Sequence, residues 1–318
     1  MAAIPVALSG CRNPSTTREV IVYTSVDQPR SEPVFKTFET RYGIRIKAVY
    51  DVEASKTTGL ANRLFAEARH PVADVFWSSE PIQTLALAEQ GVLSSFESPA
   101  ADRVPEALRD PLGRWIGLGL RARVILINTE RVPTDMVPYT LFDLVDERWK
   151  AGEVGMALPI FGTSFTHAVV LYQVLGREKA ESFFIKVKTR GIRILDGNAR
   201  VAALVAEGRL KAGLTDTDDA LSWIRKGAPL KMVFPKNLDD GGLIFPGTIS
   251  LVAGAGHPAE ARKLIDFLLS AEVEEHFISS QYFYSSIHSP HDVNPAIWQD
   301  ISSKLPLVRE EMRGIFIR

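Results

Sequence analysis

The chain holds one cysteine, Cys11, in 318 residues. A lone thiol excludes an intrachain disulfide framework and any Cys-based metal site. No apolar run approaches the ~18 or more residues that a transmembrane helix requires. Neither charge dominates: 37 Lys and Arg stand against 38 Asp and Glu, so the formal net charge of -1 offers no basic field for nucleic acid and no polybasic membrane patch. A Gly-rich phosphate loop is missing, which argues against a nucleotide-using transferase. The six histidines form no H-x-x-x-H pair on a helix, and no repeat of about 20 to 50 residues is visible.

What the chain does contain is the composition of an ordinary globular protein, 46% hydrophobic and 24% charged, with length enough for two lobes that each bury a core. Short β-rich runs alternate with amphipathic stretches, the signature of an α/β protein with largely parallel sheets. Val20 to Tyr23 is the first buried strand, and Ser31 to Tyr42 a helix with Val34, Phe35 and Phe38 at helical spacing. Ile44 to Tyr50 alternates as a strand, Lys56 to Arg69 reads as a helix, and Ala73 to Trp77 as a strand. Ser79 is placed to cap a helix that has Pro81 early and ends at Gly91.

The β-rich stretch Trp115 to Asn128 is too long for one compact sheet and reads as a crossing between lobes. Beyond it come a strand at Val154 to Leu158, helices at Ser164 to Leu175 and Lys179 to Arg190, and a strand at Gly191 to Leu195. A helix from near Asn198 and a strand at Lys211 to Thr215 follow. Thr248 to Ala253 is the expected return crossing, and Pro258 to Ser270 a helix that rejoins the first lobe.

Five strand-to-helix turns carry polar or acidic residues: Thr24 to Asp27, Ser78 to Glu80, Gly162 to Ser164, Asp196 to Asn198, and Asp216 to Asp219. Ligands of open α/β sheets bind at the carboxyl ends of strands, where helix N-termini present free N–H groups. Each turn alone also reads as a helix cap, and Asp216 and Asp218 in particular suit the N-terminus of a helix through Ala220 to Arg225. Together they predict a cleft. Asp27, Glu80, Asp216, Asp218 and Asp219 would crowd carboxylates there, and such a group stays ionised only beside a cation.

With the strands Val20 to Tyr23 and Ala73 to Trp77, the crossing Trp115 to Asn128, Gly162-Thr163-Ser164-Phe165 and the helix Lys263 to Ser270 in this order, the chain resembles the bacterial extracellular solute-binding proteins of ABC importers. It is similar in particular to their ferric-iron-binding group, from Glu19 to about Tyr284. The resemblance implies a two-lobed periplasmic-binding-protein fold of type II, with two crossing strands as hinge and the ligand cleft between lobes. The expected division is a tether at 1–18, one lobe at 19–121 with 248–285, and the other at 122–247 with 286–318. It also implies a monomer that performs no bond chemistry, takes no cofactor, and hands its cargo to an ABC permease and its ATPase.

Ferric-binding proteins use a His in the first turn, a Glu after the third strand and two adjacent tyrosines in the second lobe. Here Asp27, or neighbouring Gln28, holds the first position, Glu80 the second, and Asp218-Asp219 stands where the tyrosines would be. Gly162, Thr163, Ser164 and Asn198 match the segments that hold a synergistic anion. The resemblance therefore implies Asp27, Glu80, Asp218 and Asp219 as metal ligands, with Asp216 beside them. Carboxylates without thiols suit Fe3+, Ca2+, Mg2+ or Mn2+ as cargo, although the loss of the phenols weakens the ferric assignment. An organic ammonium, in a polyamine or an aminophosphonate, meets the same electrostatics. A metal-dependent enzyme using Asp216-Thr217-Asp218 and a sensor domain with a membrane partner are further alternatives.

Leu8-Ser9-Gly10-Cys11 resembles a lipobox, so Cys11 is expected to carry lipid and to hold the protein at a membrane in the periplasm or on the cell surface. The polar stretch Arg12 to Arg18 would be its tether. An EF-hand from Asp216 fails, because Leu221 and Gly227 stand where Gly and Glu are needed. His288 and His291 read as a surface pair, and Ser164 with His167 lacks a nucleophile elbow. Trp77, Trp115 and Phe165 wall the ligand or belong to the core. Arg121 and Arg123 share a strand face, where one or both neutralise an anionic group or pair with cleft carboxylates, or else edge a solvated strand. Asp239 to Gly242 reads as a flexible turn.

Overall fold

A computed structural model describes residues 18–51, 58–235, 243–287, 295–298 and 300–317. Cys11 and its tether, the start of the expected helix at Lys56, the Asp239 to Gly242 turn, and His288 with His291 lie outside the described residues. No described helix is long and apolar enough to cross a membrane.

The first half of the sheet grows from β1 (Glu19–Thr24), which pairs in parallel with β2 (Arg45–Tyr50) and β3 (Val75–Ser78). Between them run α1 (Gln28–Tyr42) and α2 (Thr58–Glu67). The i, i+1, i+4 set Val34, Phe35 and Phe38 is buried against Val22 and Trp77, each such side chain contributing about 1.5–3 kcal/mol. After β3 come α3 (Ile82–Glu89) and the short β4 (Leu93–Ser94). Ser79 does not cap α3: Pro81 occupies the cap position, and Ser79 Oγ instead meets Ser25 Oγ at 3.1 Å. Trp77, Trp115 and Phe165 are core residues.

The second half is built on β6 (Val154–Ala157), parallel to β7 (Arg193–Leu195) and β8 (Ala212–Asp216). The helices α4 (Gly162–Val174), α5 (Arg177–Thr189), α6 (Asn198–Ala206) and α7 (Thr217–Ile224) follow their strands, and β9 (Leu230–Val233) lies beyond α7. Phe165, Phe183 and Phe184 anchor this second core.

Two long strands join the halves. β5 (Ile116–Asn128) is buried along all 13 residues, and β10 (Ile244–Val252) pairs with it antiparallel, giving the order β2-β1-β3-β10-β5-β8-β6-β7. β10 begins at Ile244 rather than at Thr248. β10 carries Pro246 and Gly247 in its interior, with a register shift against β5 between them, the kind of irregularity at which a strand tolerates proline. From β10 the chain runs through α8 (Pro258–Leu268) and α9 (Ala271–Ser279), both packed into the first core. The final helix, α10 (Leu305–Phe316), packs on α4 and α5 of the second.

Candidate functional site

A cavity of ≈ 240 Å³ lies at the carboxyl ends of the strands, and each of the five polar turns contributes to its wall. Ser25 and Asp27 come from the turn after β1, and Ser79 from the turn after β3. Gly162, Thr163 and Ser164 come from the first turn of α4, Asp196, Gly197 and Asn198 from the start of α6, and Asp216, Asp218 and Asp219 from the start of α7. Three helix N-termini thus converge on one space, with their unsatisfied N–H groups and partial positive charge. Gly213 lets α6 approach β8, since a Cβ there would lie 2.4 Å from Val201 Cγ1.

Asp216 serves as an organiser. It holds the cap position of α7 without a side-chain capping bond. Its Oδ1 accepts from Arg123 Nη1 at 2.6 Å, and its Oδ2 accepts from Thr163 Oγ1 at 2.6 Å and Asn198 Nδ2 at 3.1 Å. Asn198 Oδ1 in turn accepts from Arg123 at 2.9 Å and from Ser164 Oγ at 3.2 Å. One carboxylate therefore binds the first turns of α4 and α6 to β5. Burial works against its charge, yet the guanidiniums of Arg123 and Arg121 hold it below the usual carboxylate range.

Arg121 supplies a cation within the cleft itself. Its Nη1 donates to both carboxylate oxygens of Asp218 at 3.2 Å, and its Nη2 donates to the Ser79 carbonyl. The guanidinium lies over the rings of Phe245 and Tyr282, 5.1 and 5.5 Å from their centroids. The expectation that the acidic turn needs an external cation to stay ionised is thereby corrected in part, because Arg121 and Arg123 balance two of its charges. Five carboxylates, Asp27, Asp196, Asp216, Asp218 and Asp219, line a cavity that has one guanidinium in its wall and a second behind Asp216. Ligand oxygens of Asp216, Asp218 and Asp219 lie within 4.8 Å of one another, close enough to share an ion.

Glu80 does not join them. It is fully buried and is not among the lining residues. Its Oε2 accepts from the Ile82 N–H and from Thr166 Oγ1, each at 2.6 Å. Burial pushes its carboxyl up to about 7, against the pull of Thr166, the backbone N–H groups of Ile82 and Gln83, and Arg121. A side chain so engaged behind the wall is not placed to ligate a cation in front of it. His167 is also buried, and desolvation, with Arg123 nearby, drops it well below the usual histidine range, so it is neutral.

Tyr282 lines the cavity unannounced by the sequence. It follows α9 in a corner where Gln281 adopts φ 60°, and no periodicity marks it. The corner is fixed by the Tyr284 N–H to the Leu120 carbonyl at 2.7 Å. Gly119 makes this possible: it has φ +65°, and a Cβ there would lie 2.3 Å from the Phe283 ring. The aromatic run Tyr282-Phe283-Tyr284 beside this β5 glycine is the only sequence trace of the arrangement.

The fold recurs in known proteins. The chain is 20% identical over 292 residues to the Fe(3+)-binding periplasmic protein of Serratia marcescens, covering 91% of this chain and 84% of that protein. It is 26% identical over 224 residues to a Salmonella typhi periplasmic protein named for 2-aminoethylphosphonate binding, covering 68% of this chain and 63% of that protein. The crystal structure of iron-bound HitA from Pseudomonas aeruginosa superposes with a TM-score of 0.80 at 23% identity, over 92% of this chain and 99% of that one. The model of the bacterial extracellular solute-binding protein family matches residues 70–305. That match spans well over half of the sequence, and the chain belongs to this family of solute-binding proteins.

Proposed function

We propose that this protein is the capture component of an ABC importer, which closes two lobes over a cationic solute and delivers it to a permease and its ATPase without bond chemistry. The observation that carries the reading is the gathering of five carboxylates on the cavity wall, Asp27 from the turn after β1 and Asp218 and Asp219 from the start of α7 among them. Oxygen donors of this kind suit a hard cation, with Fe3+ first in view of the iron-binding relatives. Asp27, Asp218 and Asp219 would be its carboxylate ligands. The cavity of ≈ 240 Å³ is larger than a bare ion needs, and the N-termini of α4 and α6, with Thr163, Ser164 and Asn198, would take an accompanying small anion.

A second reading rests on Arg121. A guanidinium beside helix N-termini suits an oxyanion, so a zwitterion of the aminophosphonate type would set its anionic end there and its ammonium against Asp27 and Asp219. Both readings keep the same charge pattern. A lipid on Cys11 would hold the protein, as a monomer, at the outer face of a membrane in the periplasm or on the cell surface.

Titration with ferric citrate, CaCl2, MnCl2, spermidine and 2-aminoethylphosphonate, followed by melting temperature, separates these possibilities. A titrant at about a hundred times its Kd stabilises by about 2.7 kcal/mol, which raises the melting temperature by several degrees. Asp219→Asn is expected to reduce that rise. If none of the titrants raises it, the cationic-solute reading fails.

A further inference from the structure

Glu80 joins the two walls of the cleft from behind. Through the Ile82 N–H its Oε2 holds the turn at 78–82, whose Ser79 bonds Ser25 and accepts from Arg121. Through Thr166 Oγ1 the same oxygen holds α4, whose first turn forms part of the opposite wall. The Thr166 hydroxyl has a competing acceptor in its own helix, the Gly162 carbonyl, but at 3.4 Å rather than 2.6 Å. Its proton is therefore directed at Glu80. Oε1 of Glu80 is buried and has no hydrogen-bond partner among the described residues, so the bonding of this carboxylate runs through the one oxygen that the two walls share.

We propose that the Glu80–Thr166 hydrogen bond is a tie between the lobes, which sets how readily the cleft opens and so governs affinity without touching the solute. Hydrogen bonds to carboxylates are short and strong, and stronger still away from water. Separating the walls breaks this bond, and the cost favours the arrangement in which the three helix N-termini and Asp27 face one cavity. Ile82 adds to the closed arrangement, because its side chain, though it begins α3, is buried in the second core. The effect on affinity rests on the capture function proposed above; the tie itself requires no particular solute.

Thr166→Val removes the hydroxyl and keeps the volume, and Thr166→Ser keeps the hydroxyl. Small-angle scattering of the ligand-free full chain is expected to give a larger radius of gyration for T166V than for wild type, and T166S should restore the wild-type value. Affinity for ferric citrate or 2-aminoethylphosphonate, whichever the wild type binds, is expected to fall about tenfold in T166V and to recover in T166S. Far-UV circular dichroism confirms folding, and Thr166→Ala replaces T166V in both comparisons should the valine chain not fold. An unchanged radius in T166V, or a T166S chain that behaves like T166V, overturns the tie. The scattering comparison needs no ligand, so failure of every titrant would overturn the solute reading and leave the tie separately judged.

Discussion

At the scale of single residues, the partners of a side chain decide its work in the cleft. All five polar turns reach the cavity because strand ends in an α/β sheet bring helix N-termini together, a consequence of topology that alternating patterns reveal. What a given carboxylate does there depends on its partners, and Arg123 stands 93 positions from Asp216 in the chain. Glu80 is the clearest case, since its burial could not be read from its place after a strand. Its charge has a measurable consequence. The carboxyl is raised from 4.5 to about 7, so the stability its neutral form allows is fully present below about pH 4.5 and is lost as pH rises toward about 7. The charged groups acting on it are Arg121 of β5 and Arg309 of α10, while His167 of α4 is neutral. Urea unfolding of wild type and Glu80→Gln across this range should show wild type losing on the order of 3 kcal/mol relative to the variant. A difference that does not change with pH would show that Glu80 does not titrate there.

At the scale of elements, strands and helices with a clear period were legible to within a few residues. The misplaced start of β10 and the unread corner at 281–284 share a cause: each departs from local preference because of a distant partner. Pro246 stands in a central strand at a register shift against β5, and Tyr282 is aimed by a contact between Phe283 and Gly119. That contact leaves no room for a side chain on β5. Gly119→Ala should therefore destabilise the protein by about 1–3 kcal/mol, since it combines a positive φ with a Cβ 2.3 Å from the ring. Solute affinity should fall with it, because the corner that carries Tyr282 must move. Differential scanning calorimetry and a binding titration on the same sample check both effects, and a variant as stable as wild type would mean that the corner yields without strain.

At the scale of the whole molecule, the two cores are bound by more than the hinge strands. After α9 the chain has returned to the first core, yet α10 lies on the second, against α4 and α5. Before it, Ser302 Oγ bonds Glu89 at the end of α3, and Ile301 is buried in the second core. The terminal segment therefore completes one lobe while touching an element that springs from the other. Leu305, Val308 and Met312 are buried there, at about 1.5–3 kcal/mol each. Their sum is comparable with the whole stability of an ordinary domain, about 5–15 kcal/mol. A chain ended at Asp300 should accordingly lose amide-exchange protection in α4 and α5 while the strands β1 and β3 of the first core keep theirs. Full protection of α4 and α5 in the shortened chain would show that the second core is complete without α10. Global loss of protection would show that the two cores unfold as one unit.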